Sequence, residues 1–338
     1  MEVHSSYGHT RRPSYSRVRR RPLPADIRLN HFASHAVRGR RWGLLLGASV
    51  IAVVAVALSF LLSGCGYADR TTSTTGPGSG GGSIDYLTEA DALVFRVEVG
   101  GGFVPVESVF TNMPMLSVYG AGRAISQGPI PAIYPGPALP NLQVAKISPA
   151  GIQRLLAAAR DAGLLEHGVD YGQPAVADGS TTTFTVAADG EIFETSIYHL
   201  SPDNTSDSVL TKDQLALRAH VESFQSMVYD LQGWLGDDIG PSESFEWQAL
   251  SILIMPADPN RDDSSGIEPR IVEWPLADLA TLGEVHPQTQ GRSAVITGAD
   301  LETLRPLVEQ ADTLTFWKSG GSVYSVLLRP LLPDEVER

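Results

Sequence analysis

Ile147-Ser148-Pro149-Ala150-Gly151-Ile152-Gln153-Arg154-Leu155 has a counterpart in the second half of the chain, Ile296-Thr297-Gly298-Ala299-Asp300-Leu301-Glu302-Thr303-Leu304. In both, a hydroxyl residue precedes a run with apolar positions at helical spacing. Ser148 is placed as the N-cap and Pro149 at the first helical position, where its missing N–H costs nothing. Ile152, Leu155, Leu156 and Ala159 form one apolar face, and Gly163 is placed to end the helix. Ala311 continues the match to Ala162. A hairpin follows each helix. In the first, residues 182–186 and 192–198 flank Asp189-Gly190, a dipeptide suited to a two-residue turn. The second turns at Ser319-Gly320-Gly321-Ser322. This reads as a degenerate repeat of helix then hairpin, with Pro306 kinking the second helix. Hairpins and helices without steady βαβ alternation predict an α+β fold, strands and packed helices in two related lobes.

The neighbouring sequence fills in the plan. Leu93, Phe95, Val97 and Val99 alternate with Arg96 and Glu98 as a half-buried strand, ended by Gly100-Gly101-Gly102. Residues 116–125 read as a hairpin around glycines. The prolines of Ile133-Tyr-Pro-Gly-Pro-Ala-Leu-Pro-Asn141 forbid regular structure and predict an ordered crossing loop. Leu217, Val221, Phe224, Val228 and Leu231 place one apolar stripe on a helix spanning residues 212–235. A strand follows over 249–255, then a short helix over Trp274-Pro-Leu-Ala-Asp-Leu279.

The N-terminus speaks about location. Residues 42–62 carry no charge, and Leu62-Ser63-Gly64-Cys65 closes that run with the chain's single cysteine. An apolar residue, two small residues and a thiol resemble a lipobox, in which the cysteine receives a diacylglycerol. Ten arginines precede Trp42 against Glu2 and Asp26, so the positive-inside rule keeps that end cytoplasmic. A positive n-region, an apolar h-region and a small-residue site together read as a signal peptide. The 21-residue run is also long enough to span a bilayer uncleaved. An ordinary short signal peptide would begin at Val37, which makes residues 1–36 either untranslated or a basic cytoplasmic arm for the anionic leaflet. The expected organisation is a basic n-region over 1–41, an apolar segment over 42–64, and Cys65 with a flexible Gly/Ser/Thr linker over 65–83. The first lobe then covers 84–238 and the second 244–338.

Composition narrows the partners. The net charge is −13, and residues 1–41 contribute +8 (ten arginines, two acids), so the remainder carries −21. Such a surface repels phosphates, which argues against nucleic acid. With Cys65 committed to lipid, no disulfide supports the folded part.

The strings Gly100–Phe103, Ile133–Asn141, Trp274–Leu279 and Leu327–Glu335 resemble uncharacterised secreted proteins and lipoproteins of actinobacteria. The resemblance covers roughly residues 90–338 and implies an exported envelope protein; it carries over no activity and no catalytic residue.

Motifs for chemistry are weak. No Gly-x-Ser-x-Gly occurs, and His167, His199, His220 and His286 lack the spacing of a zinc site. Asp258-Pro-Asn260-Arg-Asp262-Asp263 opens like an EF-hand loop, but position 6 is Asp263 and position 12 is Pro269, so it reads as a solvated loop. Asp237-Asp238 and Glu243/Glu246 are acidic pairs in a linker between lobes. Gly100-Gly101-Gly102 lacks the Lys-Ser/Thr of a phosphate loop. Asn204-Thr205-Ser206 is a glycosylation sequon of no meaning in a bacterium. Trp234, Trp247, Trp274 and Trp317 read as core residues. No catalytic, metal or cofactor site is expected. The reading is a cell-membrane lipoprotein anchored through Cys65, its body outside, binding or scaffolding an envelope protein or wall component. The alternatives are an envelope hydrolase with a spatially assembled His/carboxylate site, and an uncleaved single-pass membrane protein.

Overall fold

The structure is a computed structural model that describes residues 82–202, 209–257, 266–289 and 291–336. The apolar run 42–62, the lipobox residues Leu62, Ser63, Gly64 and Cys65, most of the linker, the sequon and positions 258–265 lie outside them.

The first sheet takes β1 (Leu93–Gly100), β2 (Leu116–Tyr119), β3 (Arg123–Gln127), β4 (Leu142–Lys146), β5 (Thr181–Ala188), β6 (Glu191–Tyr198) and β7 (Glu243–Ser244), in the order β6-β5-β1-β2-β3-β4-β7. Every neighbouring pair is antiparallel. The second takes β8 (Ala249–Pro256), β9 (Arg270–Glu273), β10 (Glu284–Val285), β11 (Arg292–Thr297), β12 (Thr315–Ser319) and β13 (Ser322–Pro330), ordered β10-β11-β8-β13-β12-β9. Only β9 and β12 run parallel among these pairs. The helices are α1 (Val106–Thr111), α2 (Pro149–Asp161), α3 (Lys212–Tyr229), α4 (Leu231–Leu235) and α5 (Gly298–Val308). The architecture is α+β, with both sheets in one compact unit.

Local chemistry explains the best-marked elements. Ser148 Oγ accepts from the Gly151 amide at 3.0 Å and caps α2. Past its end Gly163 takes φ 81°, and the Leu164 amide donates back to Ala159 O at 2.9 Å. Asp189 and Gly190 both adopt positive φ, 53° and 79°, as a type I′ turn requires. Asp189 also accepts from the Asp85 amide at 2.9 Å, which pins the segment leading into β1 to the tip of the hairpin.

Helices α2 and α3 contribute to a core on the first sheet around Phe95, Phe184 and Phe224. The Phe95 and Phe224 rings meet edge-on at 5.6 Å. The buried Arg218 fastens α3 to the end of β6 by donating to the carbonyls of Tyr198 and His199 at 2.9 and 2.5 Å. A second core surrounds Trp274 and Trp317, edge-on at 5.4 Å, and Trp247, over which the Arg305 guanidinium lies at 4.2 Å. The proline-rich loop does cross: Ala138 N–H donates to Ala311 O at 3.0 Å, and Thr313 N–H donates to Gly136 O at 2.9 Å.

Two expectations are corrected. The single helix over 212–235 is two, because Asp230 leaves helical geometry (φ −112°, ψ 52°) and caps α4 by accepting from the Gly233 amide at 3.2 Å. The apolar stripe runs across the break, through Val228, Leu231 and Leu235, so periodicity cannot reveal it. Residues 274–279 form no helix. The Trp274 amide donates to Lys318 O, extending the sheet, and Asp278 ties a turn by accepting from Ala280 N–H and Ser319 Oγ. A helix followed by a hairpin is present in both halves, α2-β5-β6 and α5-β12-β13, and the two units join their sheets differently. After α2 the first hairpin strand, β5, pairs with β1; after α5 the second, β13, pairs with β8. Thr297, at the place of Ser148, makes no capping bond. Pro306 lies in the last turn of α5.

Candidate functional site

The four histidines among the described residues share no element. His167, in the loop after α2, stacks on Phe193 at 4.7 Å, and its Nε2 lies 3.3 Å from Glu191 Oε2. Both partners are well over half exposed, so this pair has no cleft around it. His199 follows β6 with φ 47°, His220 is exposed on α3, and His286 accepts from the Gln288 amide through Nδ1 at 3.4 Å. Among the described residues no three His, Cys, Asp or Glu side chains are grouped to hold a metal ion.

Of the acidic pairs, Asp238 serves structure. Asp238 accepts from Ser148 Oγ and Arg154 Nη1, each at 2.8 Å, while Arg154 also donates to the carbonyls of Trp234 and Leu235. Arg154 and Ser148 together hold the Asp238 carboxyl below its usual range. The start of α2 is thereby tied to the end of α4. Glu243 is on the edge strand β7, and both it and Glu246 are exposed. Gly101 and Gly102, at φ 76° and 80°, make a turn beside Gly179. Trp247, Trp274 and Trp317 are buried, and Trp234 lies under the Arg154 guanidinium at 5.8 Å.

A polar cluster that sequence reasoning missed lies where the chain end crosses the first sheet. Arg96 on β1 donates to Asp334 Oδ1 at 2.8 Å and to Ser117 Oγ at 2.9 Å, and Tyr119 Oη donates to the same Asp334 oxygen at 2.8 Å. Burial pushes the Tyr119 phenol well above its ordinary value, and the Asp334 charge adds to this. Next to it Arg329 grips Glu335 through two hydrogen bonds. Leu332 seals an apolar patch with Met113, Tyr119, Ile125 and Leu142. Each polar group here has a partner, which makes the cluster a clamp between β1, β2 and the C-terminal turn.

Among the described residues an open cleft with room for about 250 Å³ lies beside the α3–α4 break. Its origin is local. Ala124 on β3 faces Ala145 on β4 across the ladder, and Ser126 continues the same face two residues on, so the floor consists of small side chains. Above it α3 ends at Tyr229, and after the break at Asp230 α4 resumes at Leu231, which also lines the space. Met115, Leu116, Val228, Leu231 and Ile239 make an apolar wall. Gln127, Tyr229, Asp230, Gln232 and Ser242 bring polar groups. Gln225 Nε2 donates to Tyr229 Oη at 2.8 Å, and partial burial raises the Tyr229 pKa. Asp230 is the one acid lining the cavity, and no lining residue is basic, among the described residues.

No family model matches this chain, and no curated protein or solved structure matches it.

Proposed function

We propose that the chain is a cell-envelope lipoprotein, held to the membrane by lipid on Cys65, whose acidic α+β body binds a ligand or partner outside the membrane. The observation that carries the reading is Leu62-Ser63-Gly64-Cys65 closing an uncharged run that follows ten arginines. Two acyl chains on one cysteine suffice for stable anchoring, where a single chain of this kind is marginal. The 18 residues from Cys65 to Gly82, rich in Gly, Ser and Thr, would give a tether of about 20–25 Å, enough to clear the headgroups. Among the described residues no helix is long and apolar enough to cross a membrane. The same reading takes residues 84–238 and 244–338 as two related lobes of that body. A cleft with an apolar wall, polar side chains and one acid at its rim supports the binding reading.

The test is the intact mass of membrane-extracted protein, for the wild type and for Cys65→Ala. The expected wild-type mass is that of acylated residues 65–338, and the variant should lose it. An unprocessed mass in both would replace the lipoprotein with a single-pass anchor, and would return attention to the Arg-rich arm.

A further inference from the structure

We propose that the cleft beside the α3–α4 break takes a small organic cation, an ammonium group carried on a short alkyl body. The proposal rests on the binding reading above and names the ligand class.

The cleft, with room for about 250 Å³, is open to solvent along its polar rim, where Gln127, Asp230, Gln232 and Ser242 are exposed, and its apolar floor has a cause in the sequence. Here the cause is a coincidence of two features that neither strand nor helix requires. Ala124 and Ala145 occupy facing core positions where larger side chains would close the space, and the helix above them stops at Tyr229. The volume falls just below the ~300–1,000 Å³ of sites for drug-sized ligands, which suits a molecule of a few carbons. Leu116, Val228, Leu231 and Ile239 would accept its alkyl part, and Met115 adapts to its outline.

The polar end decides the charge. Asp230 is exposed at the rim and caps Gly233 through Oδ1, and its carboxylate is the one charged group in the lining among the described residues. With no Lys, Arg or His in the lining, nothing compensates an anion. Beside Asp230, Tyr229 offers a neutral hydroxyl and an aromatic ring, and rings of this kind attract ammonium groups. The −21 charge of the chain after residue 41 also raises the local concentration of cations.

The probes are n-butylammonium, 1-butanol and butyrate, which share one shape and differ in charge. They are titrated into the full-length chain in zwitterionic nanodiscs, with methyl-labelled Met and Ala. Saturable shifts are expected at Met115, Ala124 and Ala145 for butylammonium, about 2- to 5-fold weaker binding for butanol, and none for butyrate. Asp230→Asn keeps a helix cap and should bring the cation down to the affinity of the alcohol. Ala124→Leu should abolish binding of every probe; Ser126→Val replaces it should that variant not fold. Equal binding of butanol and butylammonium would overturn the cation assignment while leaving a binding cavity. Butyrate binding as tightly as the cation would do the same. No saturable shift at these three methyl groups with any probe would remove the site itself, whereas the acylated mass would stand or fall separately.

Discussion

Arg96 and Asp334 meet at 2.8 Å although 238 positions separate them, and this pair fastens the last turn of the chain to the first sheet. Both side chains are nearly buried, 14% and 12% exposed, and Tyr119 and Ser117 complete their hydrogen bonds. Removing one partner would leave the other charge desolvated, which costs about 3 kcal/mol. Asp334→Ala should therefore lower Tm by about 6–12 °C in a body of this size. Arg96→Leu combined with Asp334→Leu should cost less than the two single changes added together. Thermal unfolding of the four proteins decides; additive losses would mean that the pair is not a coupled clamp.

The same clamp sets an alkaline limit. The Tyr119 phenol has a raised pKa in the folded chain, so below its unfolded value, about 10, both states keep the proton and nothing is lost. Above that value the unfolded chain ionises first, and stability falls as pH rises towards the folded pKa. Urea midpoints measured from pH 8 to pH 11 should fall more steeply in the wild type than in Tyr119→Phe. Parallel slopes would show that Tyr119 is not the responsible group.

At the acid end the sign reverses. Arg154 and Ser148 hold the Asp238 carboxyl below its ordinary value, so its contribution is present above about pH 4 and is lost as pH falls through the depressed pKa. Asp238→Asn should flatten the part of the acid-unfolding curve between pH 4 and pH 2. It should also weaken the tie between α2 and α4, read as faster amide exchange at Gly151 and Ser148. An unchanged acid slope would place the pH sensitivity elsewhere.

Asp230 is the residue that divides one apolar stripe into two helices, through its bond to the Gly233 amide. Asp230→Ala should cost about 1 kcal/mol, as loss of an N-cap does, and Asp230→Asn should cost only a few tenths. Denaturant midpoints compare them. Were the Ala variant as stable as the wild type, the break would be held by tertiary packing instead of by its cap.

How much of this was readable in advance follows from the range of each interaction. Ser148, Gly163 and Asp189-Gly190 act within a few residues of themselves, so caps, helix end and hairpin turn stand in the sequence. The order of strands, the clamp of Arg96 on Asp334 and the crossing bond of Ala138 to Ala311 join distant positions, and no local pattern encodes them. Trp274–Leu279 failed as a helix because its alternatives, an amide bond to Lys318 and a side-chain bond to Ser319, lie in another strand. The cavity did leave a signal. Ala124, Ser126 and Ala145 are small residues on core-facing strand positions, and small residues there mean a space left open or a neighbour brought close. Telling the two apart requires knowing where α3 stops.

Gly120 offers the sharpest case of a neighbour brought close. A Cβ on it would stand 2.1 Å from Leu87 O and 2.8 Å from Glu89 O, because the chain entering β1 crosses directly over the β2–β3 turn. Gly120→Ala therefore has to displace that segment, which buries Ile84 and Tyr86 and reaches the hairpin tip through Asp85. Losing part of this burial should cost about 2–4 kcal/mol. Gly190→Ala is the contrast: its φ is 79°, but nothing lies within 4 Å of the added carbon, so only the backbone penalty of about 1–2 kcal/mol applies. The two variants should also differ in hydrogen exchange. Gly120→Ala should release the Asp189 amide, which donates to Asp85 O at 2.8 Å, and the amides of β1 should stay protected. Equal costs for the two variants, with the Asp189 amide protected in both, would mean that the entering segment yields without leaving its place.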